Sequence, residues 1–160
     1  MKTLFAAAAV AATLATPAVA QVMTPGEYVA TAGASDLYEI TSSRTVMETT
    51  QDPRVRDFAQ MMIQHHTKST ADVKAAARRA RVRAAPPRLN PTQQELVAEL
   101  RAETGPARDA LYIAQQRASH NQALAVQQAY AAEGTAPALK AAAARIVPVV
   151  QSHVTTLMRM

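Results

Sequence analysis

The chain has 160 residues, no cysteine, only four glycines and a formal charge of +5. Without cysteine there is no disulfide, no thiolate metal site and no lipoprotein anchor. An Ala-rich composition with few aromatics favours helices of good intrinsic propensity packed closely through small side chains.

Residues 1–20 read as a cleaved targeting segment. Lys2 is a minimal positive head, Leu4 to Leu14 is apolar but too short to span a bilayer, and Ala18-Val19-Ala20 places small residues where a signal peptidase reads, with Gln21 as the mature start. Nothing else approaches the ~20 apolar residues of a membrane helix. The mature chain, 21–160, is therefore expected to be one soluble domain, periplasmic or secreted.

The first helix is expected from Thr24-Pro25 to about Thr49, with Thr24 as cap, Pro25 at the first position and Glu27 in the first turn. Asp52-Pro53 opens the second. Its Val55, Phe58, Met62, His66, Ser69 and Val73 recur at spacings of three and four, which trace one helix face. It fades after Arg83 into Ala84-Ala85-Pro86-Pro87. Asn90-Pro91 begins a short amphipathic helix stopped at Gly105-Pro106. The next long helix runs from about Ala107 to Glu133, with Gly134 as a C′ glycine. Pro137 opens the last, in which Leu139, Ile146, His153 and Met160 recur every seven residues and Pro148 is expected to introduce a kink. These elements predict an all-α, ferritin-like four-helix bundle whose long second-to-third connection carries a short helix. An up-down-up-down bundle is the alternative.

Imidazoles on buried helical stripes need a hydrogen-bond partner or a metal. At ~1.5 Å of rise per residue, His66, His120, His153 and Glu39 fall within one slab of the bundle, one from each long helix. His66 and His153 lie on the best apolar stripes. His120 is acceptable despite Arg117 nearby, and Glu39 is weaker because Val29, Leu37, Ile40 and Met47 mark a stripe that skirts it. Three neutral imidazoles and a carboxylate suit a divalent ion such as zinc, iron or copper. A metal-free core in which the histidines bond to Glu39, Tyr38, Tyr112 or the carbonyl freed by Pro148 is the competing reading. No histidine of the three follows a Glu by three residues, so a di-iron oxidase is not expected.

Arg78, Arg79, Arg81, Arg83 and Arg88 form a run with no acidic residue between Asp72 and Glu95. Part of it complements the helix dipole. Its partner would be anionic envelope lipid or lipopolysaccharide, whereas the absence of aromatics argues against nucleic acid. An enzyme has least support, since no Ser-His-Asp order, phosphate loop or close carboxylate pair is evident.

The stretch from Phe58 to Lys68 (FAQMMIQHHTK), following Asp52-Pro53-Arg54-Val55, resembles the family termed domain of unknown function 4142. Leu37-Tyr38-Glu39, the Tyr112 to His120 spacing and the Val147-Pro148 to His153 spacing extend the resemblance over nearly the whole mature chain. It implies an exported bacterial protein of ferritin-like architecture, and it supports Glu39, His66, His120 and His153 without naming a reaction. Met61-Met62-Ile63-Gln64-His65-His66 is also similar to a helix of another exported family, domain of unknown function 305. That likeness implies copper held by Met61, Met62, His65 and His66.

Overall fold

The computed structural model describes residues 23–160, so the targeting segment expected at 1–20 lies outside the described residues. Five helices follow: α1 (Pro25–Met47), α2 (Pro53–Arg79), α3 (Pro91–Ala102), α4 (Gly105–Glu133) and α5 (Pro137–Leu157). Among the described residues, no helix is long and apolar enough to cross a membrane.

The helix starts follow their capping chemistry. Thr24 and Glu27 form a reciprocal capping box on α1, and Asn90 and Gln93 form another on α3. Asp52 accepts from the Arg54 N–H at the start of α2. The end of α2 departs from the expectation of a helix to Arg83. Arg81 adopts a left-handed φ of 55°. Its N–H donates to the Arg78 carbonyl, and that of Val82 donates to the Ala77 carbonyl at 2.9 Å. This is a Schellman termination built on arginine where glycine is usual. Gly134 also differs from the C′ role expected of it. Its φ of −55° is open to any residue, but a Cβ there would lie 2.6 Å from both the Tyr130 ring and the Tyr130 carbonyl oxygen. Glycine is required by space, not by backbone conformation.

Four long helices form the bundle. The α1–α2 and α4–α5 hairpins pack side by side, with α2 against α5 and α1 against α4, while α3 lies against α1 and α4. The Gly105 N–H donates to Thr49 Oγ1 at 3.1 Å, and Thr50 Oγ1 donates to Asp109 at 2.9 Å. The α2–α4 connection therefore returns the chain to the end where α1 hands over to α2. That crossover, carrying α3, is the ferritin-like arrangement and excludes the simple up-down alternative.

The core is divided. One apolar cluster gathers Tyr28, Ala32, Val73, Tyr130 and Leu139, with Tyr28 and Tyr130 stacked at 3.9 Å between centroids. The other gathers Val46, Phe58, Met62, Leu100, Tyr112 and Leu157 near the opposite end. Between them lies a polar layer. Its groups forgo water, so each must find a partner within the bundle.

Candidate metal centre

α1 supplies Asp36 and Glu39, α2 His65 and His66, α4 Gln116 and His120, and α5 His153. Glu39, His120 and His153 are at most 1% exposed, and His66 is 5% exposed. One nitrogen from each of His66, His120 and His153 lies within 4.8 Å of the other two. All four residues singled out in the sequence thus reach the polar layer.

The hydrogen bonds orient the rings. The Gln116 carbonyl can only accept, so His120 Nδ1 carries a proton and donates to it at 2.9 Å. His120 Nε2 is left with its lone pair. His66 Nδ1 donates to Asp36 Oδ1 at 2.8 Å, and Thr70 donates to the other Asp36 oxygen at 2.9 Å. His66 Nε2 is buried and has no hydrogen-bond partner. His153 Nδ1 lies 3.2 Å from His120 Nε2, and His153 Nε2 lies 2.8 Å from His65 Nδ1. The His120–His153 contact is a hydrogen bond between the two rings, and its length is also close to the roughly 3.3 Å between nitrogens held ~2.0–2.1 Å from one tetrahedral ion. The carboxylate behind His66 and the carbonyl behind His120 are the outer partners that ligating imidazoles ordinarily have.

Glu39 faces this group without joining it. Its Oε1 is 3.8 Å from His120 Nδ1, beyond hydrogen-bond reach, and neither carboxylate oxygen has a hydrogen-bond partner among the described residues. A buried carboxylate with no donor is costly unless a positive charge stands nearby. The expectation that the core stripe of the first helix skirts Glu39 is corrected. The buried face of α1 runs through Tyr28, Ala32, Asp36, Glu39, Ser43 and Val46; of the expected stripe, Val29 is buried, but Leu37, Ile40 and Met47 are half-buried at its flank.

The proton affinities of the three rings diverge. Burial pushes His153 far below the ordinary histidine range, and the neighbouring imidazoles push it further. Burial lowers His120 as well, against the opposing pull of Glu39. Burial is also the largest influence on His66, but the Asp36 hydrogen bond and the charges of Glu39 and Asp36 together outweigh it, so its pKa ends raised. Two rings are therefore kept neutral, as ligands must be. The third favours its protonated form, so a metal bound at His66 Nε2 would have to displace a proton there.

Other expected partners fall elsewhere. Tyr38 donates to Gln115 and Tyr112 bonds to Ser43, so neither hydroxyl serves a histidine. Arg117 points away from the core and donates to the Leu157 carbonyl at the end of α5. Met62 is fully buried in the apolar cluster beside Phe58 and Tyr112, and Met61 packs on the same cluster. These two thioethers are engaged in packing, and the four residues of the copper expectation are not assembled as one ligand set. His65 instead stacks on His153 at 5.1 Å between centroids. Asp36, Thr70 and Gln116 were not identified from sequence. Asp36 had a usable signal, since it sits four residues after Ala32 and three before Glu39 on one helical face.

Fold and site together define a crossover helical bundle with a buried layer of histidines and carboxylates between two apolar clusters. The chain belongs to the family described as domain of unknown function 4142, whose model matches residues 8–160. A comparison with curated proteins finds no match. Among solved structures, the chain is similar to a secreted protein of the domain of unknown function 305 type from Streptomyces coelicolor. The TM-score is 0.68 at 14% identity, over 81% of this chain and 85% of that one. That likeness is one of fold.

Proposed function

We propose that this protein is an exported helical-bundle protein that holds one divalent first-row metal ion in its core. His66 Nε2, His120 Nε2 and His153 Nδ1 serve as ligands, and Glu39 supplies charge compensation or a fourth ligand. The observation that carries this reading is the convergence of one nitrogen from each of three buried histidines within 4.8 Å, with His66 Nε2 buried and unpartnered among them. A divalent cation bound to the three rings would occupy His66 Nε2 and place positive charge near Glu39. Three imidazoles suit zinc, iron(II) or copper(II). Calorimetric titration of zinc into chelator-treated protein tests it. Wild type is expected to bind one equivalent, and His66→Ala and His153→Ala are expected to lose binding by at least tenfold. Equal binding by all three proteins contradicts the reading.

Export rests on the short apolar segment and the Ala18-Val19-Ala20 site. Intact-mass measurement of the secreted chain is expected to show Gln21 at its start. A second reading concerns Arg78, Arg79, Arg81, Arg83 and Arg88. All five are exposed, and none forms an ion pair among the described residues. We infer an attraction to anionic envelope lipid that salt screens over a Debye length of ~8 Å. Co-sedimentation with anionic vesicles at low salt, beside a variant with Ser at all five positions, measures it. Equal binding by the two proteins would sink the idea.

A further inference from the structure

A cleft of about 230 Å³ opens between α2 and α5 beside the polar layer. It exceeds by far the ~15 Å³ that one ordered water needs. It falls short of the ~300 Å³ at which pockets for drug-sized molecules begin. The size class is a small organic molecule. His65 and His153 border its inner side, and Ile146, Val149 and Val150 form an apolar wall along α5. The rim carries Lys68, Asp72 and Arg145. Lys68 and Asp72 are paired with each other. Arg145 is exposed and has no ion pair among the described residues. The unbalanced charge at the mouth is therefore positive, and the wall below it is hydrocarbon.

We propose that this cleft binds a small aliphatic carboxylate, with its carboxylate on the Arg145 guanidinium and its hydrocarbon chain along Ile146, Val149 and Val150. A guanidinium receives a carboxylate through two parallel hydrogen bonds, which gives the site a preference for planar anions. The apolar wall rewards chain length up to the depth of the cleft. Neither contact requires an ion on the histidines, so the site is independent of the metal reading.

The test uses the mature protein held in chelator, with hexanoate as the probe and binding followed by NMR titration of backbone amides. Hexanoate is expected to saturate and to shift amides of residues lining the α2–α5 cleft. Hexylammonium, of equal length and opposite charge, is expected to produce no saturable shift. Arg145→Gln should weaken hexanoate at least about tenfold, the usual loss with a charged hydrogen-bonding partner. Val149→Asp should weaken it too, by placing an anion on the wall. Both positions are exposed, so both variants should keep the wild-type helical signal in circular dichroism. Failure of hexanoate to saturate, equal binding of hexylammonium, or undiminished binding by Arg145→Gln overturns the proposal. Loss of zinc binding in the histidine variants leaves it standing.

Discussion

Replacing Glu39 with Gln should move stability and metal affinity in opposite directions. The substitution keeps the side-chain shape and removes a buried carboxylate that has no donor. A buried polar group left unsatisfied costs roughly 1–3 kcal/mol, and more when charged. The glutamine amide would lack partners too, so only the excess cost of the charge is relieved; in chelator Glu39→Gln should be more stable than wild type by about 1 kcal/mol, which raises Tm by roughly 2–4 °C per kcal/mol in a domain of this size. With metal the balance reverses. The carboxylate lies 3.8 Å from His120 Nδ1, too far for a hydrogen bond, and acts on a bound cation through its charge; loss of a group beside a metal site typically weakens it ~10–100-fold. At a zinc concentration 100 times the wild-type Kd, binding stabilises wild type by about 2.7 kcal/mol. A variant 100-fold weaker would gain only about 0.4 kcal/mol. Thermal melts at pH 8, with chelator and with added zinc, read both quantities from one preparation. If the variant is less stable in chelator and gains as much from zinc as wild type, Glu39 is an ordinary core residue and the reasoning fails.

Acid should destabilise the metal-free protein. His120 and His153 are held neutral by burial, whereas the unfolded chain protonates them near pH 6.5. Below that pH the unfolded state binds more protons, so stability falls by at most about 1.4 kcal/mol per pH unit for each ring. His66, raised in the fold, contributes fully below pH 6.5 and loses that contribution only as pH rises through its folded value, so it adds no slope on the acid side. Urea denaturation between pH 7 and 5 should show the decline, and a flat profile would contradict the burial of neutral rings. Gly134→Ala should lower stability by roughly 1–3 kcal/mol because its Cβ meets Tyr130; an unchanged urea midpoint would show that the turn relaxes freely. Arg81→Gly should raise stability by about 0.5–1 kcal/mol by relieving the left-handed φ, and a lower midpoint would mean that the arginine side chain contributes more than its backbone costs.

The long helices were legible because their caps and breaks are local chemistry. Thr24-Pro25, Asp52-Pro53, Asn90-Pro91 and Pro137 each announce a start, and the structure begins a helix at every one. The crossover was favoured but not decided by sequence, since either topology brings one candidate ligand per helix to similar depth. What decides it is the contact of Thr49 and Thr50 with the beginning of α4, a long-range meeting with no local signature. His66 and His153 stood out as imidazoles on apolar stripes. Glu39 was underrated because apolar marking misleads on α1, where Asp36, Glu39 and Ser43 occupy the buried face. The sequence offers His65 only as an implied copper ligand beside Met61 and Met62, yet it reaches His153 from the cleft side. Adjacent helical residues diverge by about 100° around the axis, so contacts for both require partners on two helices. Periodicity within one helix cannot supply that.

Whether three histidines share a metal ion is read from elemental analysis of tag-free protein purified without chelator from the cells that make it. Wild type is expected to carry close to one equivalent of a single first-row metal per chain, and His120→Ala, which loses the Nε2 that lies 3.2 Å from His153 Nδ1, only traces. Metal-free wild type that also fails to take up zinc, iron(II) or copper(II) on reconstitution would contradict that expectation, and would make the polar layer a hydrogen-bonded core without an ion.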